Sequence, residues 1–192
     1  MYERIGAPVL VALGANLPFG GESPAETLRQ ALQAIAKEGL TVLAVSPFYA
    51  TPCFPAGSGP DYVNAAAVLA GNEESDATSL LAILHAVENQ FGRVRNKRWG
   101  MRTLDLDLLA LGDSVMPDPA TQDSWRLLPA EAQVRATPDQ LILPHPRLQD
   151  RAFVLVPLAA VAPDWVHPRT GASVAEMLAA LPEADRAAVK PL

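Results

Sequence analysis

Asp105 and Asp107 stand two apart in Thr103-Leu-Asp-Leu-Asp-Leu-Leu-Ala-Leu111, a run in which Leu104, Leu106 and Leu108 take the alternate positions. Successive side chains leave opposite faces of a β-strand, so the run predicts a strand with three leucines on one face and both carboxylates on the other, about 7 Å apart at roughly 3.3 Å rise per residue. Two carboxylates at that spacing suit a hard divalent cation, above all magnesium, which keeps water and substrate phosphate among its ligands and needs few protein oxygens. An isolated Asp-x-Asp is more often the polar face of an exposed strand. The neighbourhood therefore has to decide.

That neighbourhood is basic. Between Asn89 and Leu104 there is no acidic residue, while Arg93, Arg95, Lys97, Arg98 and Arg102 fall in the same window, a third of the 15 lysines and arginines of the chain. Phosphoryl transfer depends on cations around the equatorial oxygens and on in-line geometry more than on covalent chemistry, so arginine forks beside a carboxylate pair are the equipment it needs. The whole chain carries a net charge of -6, which disfavours nucleic acid as a partner. There is no Gly-x-x-x-x-Gly-Lys-Ser/Thr loop and no dinucleotide glycine pattern. Three scattered histidines and one cysteine leave no zinc cluster. No side chain stands out as a general base.

The elements that must hold these groups follow from periodicity and capping. Val9 to Leu13 is a short apolar run ending at Gly14-Ala15-Asn16, a buried strand entering a turn. Ser23-Pro24-Ala25-Glu26 reads as a capped helix start, with Leu28, Leu32 and Ile35 at helical spacing and Gly39 as the stop. Thr41 to Tyr49 and Tyr62 to Leu69 read as strands, and the Pro- and Gly-rich loop from Thr51 to Pro60 between them is long enough to serve a ligand. A helix over about Thr78 to Phe91 presents Leu80, Leu84, Val87 and Phe91 on one face and stops at Gly92. With the Asp105 strand this gives β-α-β-β-α-β, an α+β ferredoxin-like core of mainly antiparallel sheet with helices packed on one side, plus C-terminal additions.

One domain is expected over residues 1–192, with a polar, Pro-rich surface insertion at about 112–140 that holds a short helical piece near Ala130 to Arg135. The tail is apolar from Phe153 to Val161, and Ser173-Val-Ala-Glu176 caps a last helix running to Leu181. No apolar stretch reaches the roughly 20 residues of a membrane span. The single Cys53 and the lack of a leader point to a reducing cytoplasm, and a monomer is expected.

Six blocks, taken in order, carry a resemblance: Val11-Ala-Leu-Gly-Ala-Asn-Leu17, Phe48-Tyr-Ala-Thr-Pro52, Pro60-Asp-Tyr-Val-Asn64, Gly92-Arg-Val-Arg95, Arg98-Trp-Gly-Met-Arg-Thr-Leu-Asp-Leu-Asp107, and Leu143-Pro-His-Pro-Arg147 with Arg151-Ala-Phe-Val-Leu155. Together they resemble the 6-hydroxymethyl-7,8-dihydropterin pyrophosphokinase family. The resemblance implies transfer of the diphosphate of ATP to the hydroxymethyl group of 6-hydroxymethyl-7,8-dihydropterin in folate biosynthesis, with AMP released. It implies that Asp105 and Asp107 hold two magnesium ions and that Arg93 and Arg102 assist transfer. Glu88, Arg95, Trp99, Arg102, His145 and Arg151 match ATP-contacting positions, and Thr51, Pro52, Phe54, Tyr62, Asn64 and Phe153 match pterin-contacting ones. The Thr51 to Pro60 loop and the basic loop are implied to close as lids, which would exclude water.

Residue chemistry agrees with those roles. Phe153 offers a ring face to a flat heterocycle, and the Asn64 amide offers both donor and acceptor to its edge. Without the family context, core packing would be the favoured reading of Tyr62 and Phe153. Two departures stand out: Ala15 where the family often has Ser, which would remove a hydroxyl near the pterin end, and Met101 in place of Pro. Two other readings use the same equipment, another magnesium-dependent phospho- or nucleotidyltransferase and a non-catalytic ferredoxin-like module that only binds a ligand.

Overall fold

The computed structural model describes residues 7–53, 59–71, 75–92 and 102–192. In chain order its elements are β1 (Pro8–Ala15), α1 (Pro24–Lys37), β2 (Thr41–Val45), β3 (Tyr49–Thr51), β4 (Tyr62–Ala70), α2 (Ala77–Gln90), β5 (Asp105–Leu111), α3 (Pro119–Arg126), α4 (Ala130–Arg135), α5 (Ala152–Ala159), α6 (Val174–Ala180), α7 (Glu183–Ala187) and β6 (Lys190–Pro191). One antiparallel sheet runs β5-β1-β4-β3-β6, with β2 also paired to β4. This is the α+β ferredoxin-like arrangement expected from the order of elements.

The predicted alternation is realised on the first face of the sheet. Val9, Val11 and Leu13 of β1, Ala65, Ala67 and Leu69 of β4, and Leu104, Leu106 and Leu108 pack against Leu28 and Ile35 of α1 and Leu80, Leu84 and Val87 of α2. Each fully buried leucine contributes about 1.5–3 kcal/mol of transfer free energy, so this layer is the main source of stability. The first helix starts at the Ser23 cap the sequence showed, and the second, expected from about Thr78, starts at Ala77 behind an Asp76 cap that the sequence reading had not named. Ser23 Oγ accepts from the Glu26 N–H at 3.3 Å, and Asp76 Oδ1 from the Ser79 N–H at 2.7 Å.

The second face is covered too, but only at one end. Leu10, Ala66, Leu109 and Ala110 pack against Val154, Leu155 and Leu158 of α5 and Val174 and Met177 of α6. A register shift between Leu10 and Val11 leaves Leu109 unmatched on β1, so Leu109 and Ala110 both join this cluster. The expectation of helices on one side was incomplete, because the apolar tail folds back as α5 and α6.

The predicted strand Thr41 to Tyr49 is broken into β2 and β3. Pro47 has no N–H to give the ladder. Ser46 bridges the gap, donating its N–H to Ala66 O at 2.9 Å and accepting the Ala66 N–H on its Oγ at 2.9 Å.

Segment 112–140 holds more structure than its composition suggested. The short helix at Ala130–Arg135 is there, and α3 precedes it, started by Asp118, whose Oδ1 accepts from the Thr121 N–H at 2.9 Å. The segment departs and returns at a Met116–Leu143 backbone pair. Asp123 of α3 then grips the tail, accepting from Arg169 Nε at 3.2 Å and Nη2 at 2.5 Å, and from Arg126 Nη2 at 2.9 Å. Beside this pair His167 is fully buried, edge-on to Trp165 at 5.8 Å between ring centroids. Among the described residues no helix is long and apolar enough to cross a membrane.

Burial, reinforced by the charge of Arg126, pushes the His167 pKa down to about 4 from an ordinary 6.5. The unfolded chain therefore takes up a proton at His167 near pH 6.5 while the folded chain refuses it until about pH 4. Stability must fall as pH drops through that window. Melting temperatures measured between pH 7 and pH 4.5 are expected to decline in the wild type and to decline less in His167→Phe. Parallel declines would refute the assignment.

Candidate active site

At its open end the second face changes character. β1 lies between β4 and β5, and Gly14 pairs with Asn64 on one side and Asp105 on the other, so these three positions form one row across three strands. The next row toward α5 joins Ala66, Ala12 and Asp107. Partners in a row face the same way. Asn64, Asp105 and Asp107 thus share the part of the face that α5 and α6 leave uncovered. Gly14 is the gap between them: a Cβ there would sit 3.0 Å from Asn64 Oδ1.

Asn64 is almost fully buried and donates its amide N–H to Thr51 Oγ1 at 2.6 Å, which makes Thr51 and Asn64 one unit. Tyr62, two residues before Asn64, is half-buried. Burial pushes its phenol pKa up, with Arg102 pulling down and Asp105 pushing up, so the hydroxyl belongs to the same electrostatic neighbourhood. Phe153, near the start of α5, is 41% exposed, which overturns core packing as its reading. The Arg151 guanidinium lies over its ring at 5.6 Å. Pro52 is exposed beside Thr51.

Cations surround the carboxylates. Arg102 is ion-paired with Asp105. Burial works against the Arg102 cation, yet Asp105 and Asp107 outweigh it and hold the pKa above its usual value. Arg151 Nη1 lies 4.0 Å from Asp107 Oδ2. Burial lowers the Arg151 pKa, Asp107 opposes this and Arg147 adds to it. His145 is pushed down to about 3 by burial and by Arg151 and Arg147, so its ring is neutral at physiological pH. Its Nδ1 accepts from the Arg147 N–H at 3.1 Å, which assigns the proton to Nε2.

Glu88 does something the sequence did not show. Fully buried at the end of α2, its Oε1 accepts the Leu106 N–H at 2.8 Å. It braces the edge of β5 between the two aspartates. Ala15 is a correction: it is buried in the first-face core, one position out of phase with Gly14, so the missing hydroxyl bears on packing against α1 and α2 and not on the open end. Phe54, Arg93, Arg95 and Trp99 lie outside the described residues.

Asn16 lies in the first family block, but the motif reading gave it no role. It is 2% exposed, and its Oδ1 accepts the Arg102 N–H at 2.8 Å while its Nδ2 donates to Pro60 O at 3.1 Å. The Asn16 and Leu17 N–H groups both donate to Arg102 O, at 3.0 and 3.1 Å. One side chain therefore ties the end of β1 to Arg102, three residues before the start of β5, and to the end of the Thr51 to Pro60 loop. A buried amide immediately after a strand was the available signal.

The family model for 7,8-dihydro-6-hydroxymethylpterin-pyrophosphokinase (HPPK) matches residues 10–163. The 2-amino-4-hydroxy-6-hydroxymethyldihydropteridine pyrophosphokinase of Pseudomonas aeruginosa is 38% identical over 175 residues, covering 91% of this chain and 91% of that protein. The protein of the same name from Synechocystis sp. is 36% identical over 171 residues, 88% of this chain and 73% of its own length. Among solved structures, wild-type Plasmodium falciparum HPPK-DHPS superposes with a TM-score of 0.62 over 93% of this chain at 12% identity. This chain spans 45% of that longer one, and the likeness speaks for the fold.

Asn16→Ala would remove the partners of the Arg102 N–H and the Pro60 carbonyl, both only partly buried, at a cost of about 1 kcal/mol for each hydrogen bond lost. The denaturant midpoint is expected to fall at unchanged m-value. A midpoint equal to the wild type would show that water replaces the clip without loss.

Proposed function

Because the chain belongs to the 7,8-dihydro-6-hydroxymethylpterin-pyrophosphokinase family, we propose that its open sheet end transfers the diphosphate of ATP to the hydroxymethyl oxygen of 6-hydroxymethyl-7,8-dihydropterin, releasing AMP. The observation that carries this reading is the single row of Asn64, Gly14 and Asp105, which sets a side-chain amide beside a carboxylate with only a glycine between.

On this reading the pterin edge meets Asn64, oriented by Thr51, and its ring stacks on Phe153, with Tyr62 at its rim. Pro52 and Phe54 complete the pocket. Asp105 and Asp107 would hold two magnesium ions. The donor set fits: two carboxylates share a face, and magnesium needs few protein oxygens because it keeps water and phosphate as ligands. When bound, the metal neutralises the charge of the phosphates.

The chain's own groups do the rest. The hydroxymethyl oxygen attacks the β-phosphorus and gives up its proton to water, the bond from that phosphorus to the α,β-bridging oxygen breaks, and AMP leaves. Arg102 trades Asp105 for phosphate oxygens when the nucleotide arrives. Arg151 and the neutral Nε2–H of His145 hold the nucleotide end, joined by Arg93, Arg95 and Trp99. Glu88 acts here by bracing β5. The protein is read as a cytoplasmic monomer, one domain with an added segment at about 112–140.

Incubation with ATP, magnesium and the reduced pterin is expected to yield AMP. ADP would identify a simple kinase, and free pyrophosphate a nucleotidyl transferase. Asp107→Ala is expected to lower kcat by at least about 100-fold, on the scale of a lost transition-state stabiliser; near-normal turnover would refute the metal assignment. Gly14→Ala pushes a methyl against Asn64 Oδ1 and is expected to raise the KM for the pterin about tenfold while the KM for ATP holds. An unchanged pterin KM would place the heterocycle elsewhere.

A further inference from the structure

From the segment between β5 and the Leu143-Pro-His-Pro-Arg147 motif a side chain reaches out toward the site. Gln122 of α3 is fully buried, and its Nε2 donates to Pro144 O at 3.1 Å. The amide assignment is forced, since a proline carbonyl can only accept. Pro144 sits in a run held on two other sides. Leu143 exchanges both backbone hydrogen bonds with Met116, at 2.8 and 3.1 Å, and the His145 N–H donates to Leu109 O of β5 at 2.8 Å. Between those two fixed points Gln122 is the third, one residue before His145.

Its helix is itself pinned. The next residue, Asp123, holds Arg169 through two hydrogen bonds, so α3 is anchored to the tail independently of Pro144. A helix docked by an ion pair on one side and presenting a buried amide to a site loop on the other has the form of a brace.

We propose that Gln122 is a positioning residue for the nucleotide end of the site: it sets the Pro144 carbonyl and thereby the placement of His145, so that the added segment tunes affinity for ATP without touching it. The proposal rests on the reading of His145 as a nucleotide contact.

Gln122→Met keeps length and volume and removes the donor. The expected result is a KM for ATP raised about tenfold, with kcat and the pterin KM within twofold of wild type. Gln122→Asn, which keeps the amide but shortens its reach, gives the same pattern and serves if the methionine variant does not fold. Arg169→Met loosens α3 from the tail and so weakens the brace from its other end: it is expected to lower the melting temperature and to raise the KM for ATP in the same direction as the Gln122 variants, with the pterin KM held. If the Gln122 variants lose thermal stability but keep the wild-type KM for ATP, the proposal fails. His145→Ala in the same assay separates the two readings. A raised KM for ATP in His145→Ala alone overturns the role of Gln122 and leaves the site reading standing, and no change in either overturns both.

Discussion

The row in which Gly14 pairs with Asn64 and Asp105 is the constraint on which the rest of the site depends. Strand register is indivisible: a slip of one residue turns every side chain of a strand to the other face. Here a slip of β5 would send both aspartates into the layer under α1 and α2 and bring leucines to the surface. The buried leucines that hold register are therefore also what aims the carboxylates. Stability and aim come from one pattern.

Coverage of the second face follows from the same geometry. Where α5 and α6 lie on it the residues are Leu10, Ala66, Leu109 and Ala110, and where they stop the residues become Asn64, Gly14 and Asp105. The site is the uncovered remainder of an apolar surface. Its rim comes from the covering layer, since Phe153 and Arg151 stand at the start of α5. Charge is balanced locally. Arg102 and Arg151 each face an aspartate, and His145 is kept neutral by burial and by the two arginines near it. A neutral donor beside cations suits a polyanion, because it adds a hydrogen bond without competing for the carboxylates.

Loops are tied to this frame at a few buried polar points. Asn16 joins three chain segments, Glu88 occupies the free edge of β5, and Gln122 reaches the proline before His145. Each is a single buried side chain satisfying distant backbone, which is expensive to lose and so fixes position.

The sequence by itself determined the strand that carries Asp105 and Asp107, the helix begun by Ser23, the helix over about Thr78 to Phe91, the order of elements and the family blocks. All of these are written in neighbouring residues, as period-two alternation, capping spacings and contiguous motifs. Only the tertiary structure decided that the apolar tail would fold back over half of the second face, that Ser46 and Pro47 would break one expected strand in two, that Ala15 would face the core, and that Asn16, Glu88 and Gln122 would bond backbone 86, 18 and 22 residues away. The reason is physical. Local pattern records which face of an element is apolar, whereas the partner of a buried amide or carboxylate depends on which distant backbone the packing of those faces brings within about 3 Å.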